Sequence, residues 1–310
     1  MIEFIKDSFE FIPQESGYEG AIKMAEKAAR ICYKSENLIT ENSADKIVFG
    51  TCVKNGHTSI TEFGTIYLTT GIWNIKTIIK YIKDRYSRVR VHNCHAYITT
   101  TLRTIIQGDY KDPIDAIEHQ FDKDWKSDLK YIVNTPTRYH HQRYCYKFGM
   151  DRVGSQSVER HRGVWGISYA QESTRYCNYN GKKFGGIIKI SLPSKFYELI
   201  DNWSKDNEYL RTMNFKEQLG FLYDNDKSWK IYVDGLSKDA DDYISLINAG
   251  WKPEDARGKL PLDLDTTFMM CAYPEDWKMW LYRRTDKHAH PHVQRIAKKM
   301  KDDMTKRRII

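Results

Sequence analysis

Residues 160–176 read Arg-His-Arg-Gly-Val-Trp-Gly-Ile-Ser-Tyr-Ala-Gln-Glu-Ser-Thr-Arg-Tyr. Three arginines, a histidine, two serines, a glutamine and a glutamate fall within seventeen positions. Arginine is a rigid fork of donors that pairs bidentately with phosphate or carboxylate. Two clusters of it, interleaved with hydroxyl and amide groups, point to a phosphorylated small molecule. The same composition also describes a solvated helix face with surface ion pairs, and the order of the residues separates the two readings.

Within this stretch, Gln171-Glu172-Ser173-Thr174-Arg175-Tyr176 follows Arg160-His161-Arg162 in an order that resembles the signature of the flavin-dependent thymidylate synthases. That family carries an Arg-His-Arg triplet ahead of a Ser-x-Arg-Tyr element, matched here by Ser173, Arg175 and Tyr176, with Ser168 at a further serine position. Ten residues separate Arg162 from Ser173, three more than in the family pattern, and the extra positions fall most simply at 163–167. An ungapped register would instead set Gly163, Val164 and Trp165 where the triplet belongs. Asp151-Arg152, nine residues before the triplet, stands where many relatives carry Asp-Arg-Gly and supports the register of Arg160.

Two distant segments extend the resemblance. Gly56-His57-Thr58-Ser59-Ile60-Thr61-Glu62 is similar to an element that in the family helps hold FAD, with Phe63 in place of its final histidine. Ala256-Arg257-Gly258-Lys259-Leu260-Pro261 matches an Ala-Arg-x-x-Leu-Pro element, and Arg284 with Ala289-His290 matches a late Leu-Arg and Ala-Gln or Ala-His element. Where relatives often carry an Asn-x-Arg that touches the flavin, this chain reads Met270-Cys271-Ala272-Tyr273-Pro274-Glu275, without arginine.

The resemblance implies reductive methylation of dUMP at C5. It implies FAD as hydride carrier, NADPH as reductant, methylenetetrahydrofolate as one-carbon donor and dTMP as product. By it, Arg175, Ser173 and Arg284 are the catalytic candidates, and Gln171, Ser173, Arg175, Arg257 and Arg284 bind the substrate. His57, Ser59, Glu62, Arg160, His161, Arg162 and His290 are the cofactor residues. Gln171 stands where many relatives have glutamate, and Ala170 where they have asparagine. No active-site cysteine is required by this route, and Cys177 reads as a small packed residue. Two other readings stay open. One is a relative that installs another one-carbon group, such as hydroxymethyl, and the other is a non-catalytic nucleotide- or nucleic-acid-binding protein on the same scaffold. A homo-oligomer, a tetramer, is expected by resemblance.

Composition agrees with an enzyme of this kind. The 310 residues are 41% hydrophobic and 13% aromatic, which excludes a disordered chain. No run reaches the roughly 18 apolar residues a membrane span needs. The six cysteines are scattered without a Cys-x-x-Cys pair, as in a reducing, cytoplasmic setting. The formal charge of +8 suits anionic nucleotides and folate, and much of it is local to the basic end of the chain near Lys298–Arg308. No nucleic-acid reader motif is present. His288, His290 and His292 alternate, but Pro291 breaks their spacing and no carboxylate or cysteine completes a metal set, so no metal is expected.

The chain reads as α+β. Helices are predicted over 20–34, from about Asp45 to Gly56, over Ser194–Trp203, and over 237–249 with a stop at Gly250. Strands are predicted over Thr65–Thr70, Ala96–Ile106, Tyr139–Phe148 and Gly186–Leu192. His140 and His141 would point to opposite faces of such a strand. Trp277, Trp280 and Leu281 read as core. The resemblance implies a mainly antiparallel, thymidylate synthase-complementing-protein fold in one domain, 1–310, with an insert at about 71–138 that includes an Asp/Lys-rich helix near 122–133. That insert is either a lobe over the site or an oligomer contact.

Overall fold

The computed structural model describes residues 1–107, 125–160 and 166–310. His161 and Arg162 therefore lie outside the described residues, as does the start of the 122–133 stretch. In chain order the described strands are β1 (Ile2–Ile5), β2 (Ser8–Ile12), β3 (Thr65–Gly71), β4 (Arg88–His92), β5 (His95–Thr101), β6 (Tyr144–Asp151), β7 (Ser168–Gln171), β8 (Ile188–Ser191) and β9 (Asp265–Ala272). The described helices are α1 (Gly17–Cys32), α2 (Ala44–Ile47), α3 (Ile75–Lys83), α4 (Leu102–Gln107), α5 (Arg152–Glu159), α6 (Ser194–Trp203), α7 (Phe215–Asn225), α8 (Lys227–Asn248), α9 (Pro253–Ala256), α10 (Pro274–Arg284) and α11 (Pro291–Lys306). The fold is α+β and its sheets are mainly antiparallel. One has the order β2-β6-β9-β7, a second β3-β5-β4, and β1 and β8 form a parallel pair.

The alternation along β9 explains the layering. Met269 and Cys271 turn toward α1 with Cys145 and Ala170, while Phe268, Met270 and Ala272 turn toward α10 and α11 with Tyr146 and Phe148. A strand covered on both faces reads as a continuous apolar run, as Thr-Phe-Met-Met-Cys-Ala does here. Helix α1 lies close to this sheet because Ala21, Ala25, Ala28 and Ala29 share its buried stripe. Gly64 permits a second close approach, since a Cβ there would sit 2.6 Å from the Ala21 carbonyl oxygen. Trp277, Trp280 and Leu281 are buried against β6 and β9, as read.

The 71–138 region supplies β4, β5 and α4, and its described part shares the α1 core through Ile98, Leu102, Ile105 and Ile106. Strand β5 pairs with β3 from Thr65↔Thr101 to Gly71↔His95. The strand expected over Ala96–Ile106 stops at Thr101, whose hydroxyl accepts the Thr104 N–H at 3.3 Å and opens α4. Strand β6 begins at Tyr144, later than expected, because the His140 ring accepts the Thr137 N–H at 3.0 Å and folds that segment into a turn. His140 and His141 thus precede the strand, and the opposite-face reading does not apply to them. Helix α8 begins earlier than 237, where Asp226 caps it through the Trp229 N–H at 2.9 Å. Residues 125–131 form a 3₁₀ turn where an α-helix was expected.

Candidate functional site

Strand β7 is the edge of the four-stranded sheet, and its alternation divides the signature between two flanks. Ala170 packs in the α1 core, whereas Tyr169 packs against the opposite one. Gln171 donates from Nε2 to Ser155 Oγ on α5 at 2.6 Å. Beyond Gln171 the chain leaves the sheet. Glu172 N–H still reaches the Thr267 carbonyl at 2.9 Å, and Ser173 N–H donates to the Cys32 carbonyl at 3.0 Å. The amides of Tyr176 and Cys177 return to the Ser173 carbonyl at 3.1 and 3.0 Å, closing a tight turn. The loop that carries Ser173 and Arg175 is therefore tied by backbone bonds to the end of α1.

That end of α1 also supplies a cation. Lys34 adopts φ 50, a left-handed conformation that non-glycine residues seldom hold without a reason. Its Nζ donates to Glu172 Oε2 and to Thr267 Oγ1, both at 2.8 Å, while Tyr179 Oη donates to Glu172 Oε1 at 2.8 Å. Glu172 is only 3% exposed, so the network satisfies a carboxylate that would otherwise be costly to bury. Burial works against the Lys34 ammonium, but Glu172 outweighs it and holds its pKa above the ordinary lysine value. Cys177 is buried beside this network, and burial, reinforced by Glu172, pushes its thiol up to about 12, as fits a packed residue.

Arg175 and Tyr176 stand at the surface. The Arg175 guanidinium pairs with Glu254 at 3.1 Å, and the Tyr176 ring lies 5.5 Å from that of Tyr33. Tyr33 Oη is in turn 2.8 Å from His57 Nδ1, so the structure draws His57 toward the signature loop. Ser59 is exposed on the following turn. Glu62 goes elsewhere. It is buried, accepts the Tyr86 hydroxyl at 2.7 Å and pairs with Arg103, while its carbonyl accepts from the buried Arg143 at 2.8 Å. Phe63 is fully buried in the α1 core, an environment for an apolar ring. Arg257 is exposed in the turn that ends α9, close in sequence to Glu254.

The other flank is organised by α5. Asp151 caps this helix through the Gly154 N–H and also pairs with the buried His292 of α11. Burial opposes the Asp151 carboxylate, but the bonds from His292 and Gly154 outweigh it and hold its pKa below the usual range. Arg284 donates to the Ser157 carbonyl at 2.5 Å, and Arg160 ends the same helix, exposed. Burial and the neighbouring Arg160 and Arg283 charges hold Arg284 below the ordinary arginine range. Arg284 Nε, His290 Nδ1 and His292 Nε2 are enclosed without hydrogen-bond partners among the described residues. Among the described residues, no group of three metal-ligating side chains is assembled.

The structure thus brings Ser173, Arg175 and His57 to the α1 flank, and Gln171, Arg160 and Arg284 to the α5 flank. Lys34, Tyr33, Tyr179 and Asp265 belong to these surroundings and carry no sequence signal. Only the starting Asp of Asp151-Arg152 stood near a recognisable element, and it marked register rather than the His292 pair.

A family model described as thymidylate synthase complementing protein matches residues 95–307, more than half of the chain. The chain belongs to that family. Among solved structures it is similar to a UMP/dUMP methylase PolB from Streptomyces cacaoi bound with 5-Br dUMP, at 11% identity and a TM-score of 0.40, covering 98% of this chain and 92% of that one. A search of curated proteins finds no match. Among the described residues, no helix is long and apolar enough to cross a membrane.

Proposed function

We propose that the protein transfers a one-carbon unit from methylenetetrahydrofolate to C5 of dUMP, with FAD-mediated reduction by NADPH, giving dTMP. The observation that carries this reading is the presentation of Ser173 and Arg175 on a loop pinned to α1, with the guanidinium at the surface beside Glu254. C5 of uracil is a poor nucleophile, and its attack on an electrophilic carbon requires negative charge to build on the pyrimidine carbonyls. Fixed positive charge beside the ring stabilises that build-up. Arg175 supplies it, and Ser173 holds the substrate by a hydrogen bond. Releasing Glu254 costs little, because an exposed ion pair contributes roughly 0–1 kcal/mol. Arg257 and Arg284 meet the nucleotide phosphate, and Gln171, anchored on Ser155, orients the base.

The residues at the α5 flank fit an anionic cofactor. Among the described residues, Arg284 Nε and His290 Nδ1 are enclosed without a partner, and Arg284 stands within electrostatic reach of Arg160 and Arg283. A pyrophosphate beside Arg160 and His290 would relieve this crowding of positive charge. We assign Arg160, His290 and the triplet's His161 and Arg162 to FAD, with His57 and Ser59 from the other flank. Glu62 contributes through the Arg103 and Tyr86 network that shapes the segment after His57. FAD, when bound, supplies the hydride. The assembly is a cytoplasmic homotetramer on this reading.

Mass spectrometry of nucleotide products, after incubation with dUMP, FAD, NADPH and methylenetetrahydrofolate, tests the proposal. Flavin-dependent gain of one methyl group is the expected result. Gain of a hydroxymethyl group would move the assignment to a related one-carbon transfer, and unchanged dUMP from folded protein would remove it.

A further inference from the structure

A cavity of about 440 Å³ opens beside Glu172. Its size is that of a small-molecule site. Lys34, Glu172 and Asp265 line it together with Tyr179, Phe184 and Leu264, and Lys183, Lys189, Glu3 and Glu36 add further charge to the lining. Ser173, Arg175, Arg257 and Arg284 are not among the lining residues.

The polar groups in the lining are unequal. Glu172 is already held by Lys34, Tyr179 and the Thr267 N–H. Asp265 is 8% exposed, and Ser191 Oγ donates to its Oδ1 at 2.8 Å. A second buried carboxylate beside Glu172, with no donor to its Oδ2 among the described residues and Lys34 already committed, is costly for the fold alone and is what a ligand amine would offset. Lys183 and Lys189 are exposed, and among the described residues Lys183 makes a long 3.4 Å bond to the Tyr33 carbonyl. Between these charges stand Phe184 and Tyr179, with ring centroids 5.0 Å apart, and Leu264.

Charge balance decides the class of ligand. The lining holds three lysines and four carboxylates. A polyanion would meet Glu3 and Glu36, and a simple amine would meet three ammonium groups. A molecule carrying one charge of each sign satisfies both ends. We propose that the cavity binds a small zwitterion of the amino-acid class, its ammonium on Asp265, its carboxylate at Lys183 and Lys189, and an apolar or aromatic side chain against Phe184 and Leu264.

Isothermal titration calorimetry on the full chain tests this without reference to turnover. The probes are L-phenylalanine and L-leucine, compared with N-acetyl-L-phenylalanine and L-phenylalaninamide, which each lack one charge. Saturable binding of a free amino acid is expected, weakened at least about tenfold in each blocked analogue. Asp265→Asn should remove binding, and the exposed double variant Lys183→Ala/Lys189→Ala, which leaves the core untouched, should weaken it by about tenfold. No saturable binding at millimolar concentrations of either amino acid overturns the proposal. So does equal binding of the blocked analogues, or unchanged affinity in the lysine double variant.

Discussion

The two flanks of β7 hold their charges in opposite ways. On the α1 flank two cations are paired with carboxylates: Lys34 is buried against Glu172, and Arg175 is exposed against Glu254. On the α5 flank, no ion pair is found for Arg284 among the described residues, and it crowds other arginines. The acids divide the same way. Asp151 and Asp265 are register partners across β6 and β9, yet Asp151 is held below the usual carboxylate range by His292, while burial pushes Asp265 up to about 6. On the proposed reading, the site prepares for an anion by two routes. One keeps a cation paired with a surface carboxylate that is readily exchanged, and the other leaves the cation without a counter-charge until the ligand brings it.

Replacing Arg175 is the harshest way to break this comparison. Arg175→Ala should lower turnover of dUMP by about 10²–10³, the usual loss when one oxyanion-stabilising donor is removed. Arg284→Ala should instead raise KM more than it lowers kcat, since its partner is a ground-state anion. Equal kcat losses in the two variants would show that the flanks do not differ in role. Next in size, Lys34→Met leaves Glu172 buried without its cation and should cost about 3–5 kcal/mol in urea unfolding. A loss under about 1 kcal/mol would mean that Tyr179 and the Thr267 amide suffice for that carboxylate.

On the α5 flank the corresponding change is His292→Ala, with an expected loss of about 2 kcal/mol near neutral pH. The sign with pH follows from Asp151, whose pKa is lowered on folding. Its stabilisation is complete above the unfolded value and disappears as pH falls through the folded one. The gap between native and His292→Ala protein should therefore close in acid. A gap that persists at about pH 3 would mean that His292 acts through packing alone.

What the sequence could reveal follows the range of the interactions. Helix α6 was readable end to end, and α1 nearly so, because apolar spacing is local. Thr101 misled because a β-branched run looks like a strand until its last hydroxyl caps a helix. In the site, Ser173 and Arg175 were legible as a motif, since their spacing is short. Lys34 and Glu172 are 138 positions apart, and Asp151 and His292 are 141 apart, so no periodicity or motif joins them. His290 and His292 looked alike in the alternating histidines. Only the fold separates His292, paired with Asp151, from His290, whose Nδ1 has no partner among the described residues.

The smallest expected effect is a gain. Asp265 starts from 3.8 and is pushed up to about 6, burial being the main cause, with Ser191 and Lys34 opposing and Glu172 adding to it. A carboxyl whose pKa rises on folding favours the native state while protonated, so its contribution is intact below the unfolded pKa and is lost as pH rises through the folded one. Asp265→Asn keeps the shape and removes the charge. It should match the native protein at about pH 4 and exceed it by on the order of 1–2 kcal/mol at about pH 8. Asp151→Asn, across the strand pair, should do the reverse, losing stability at about pH 8 and little at about pH 4. Thermal or urea denaturation of the two variants at both pH values reads the contrast directly. If both variants move in the same direction at pH 8, the two register partners share one environment, and the division between the flanks of β7 does not extend to their acids.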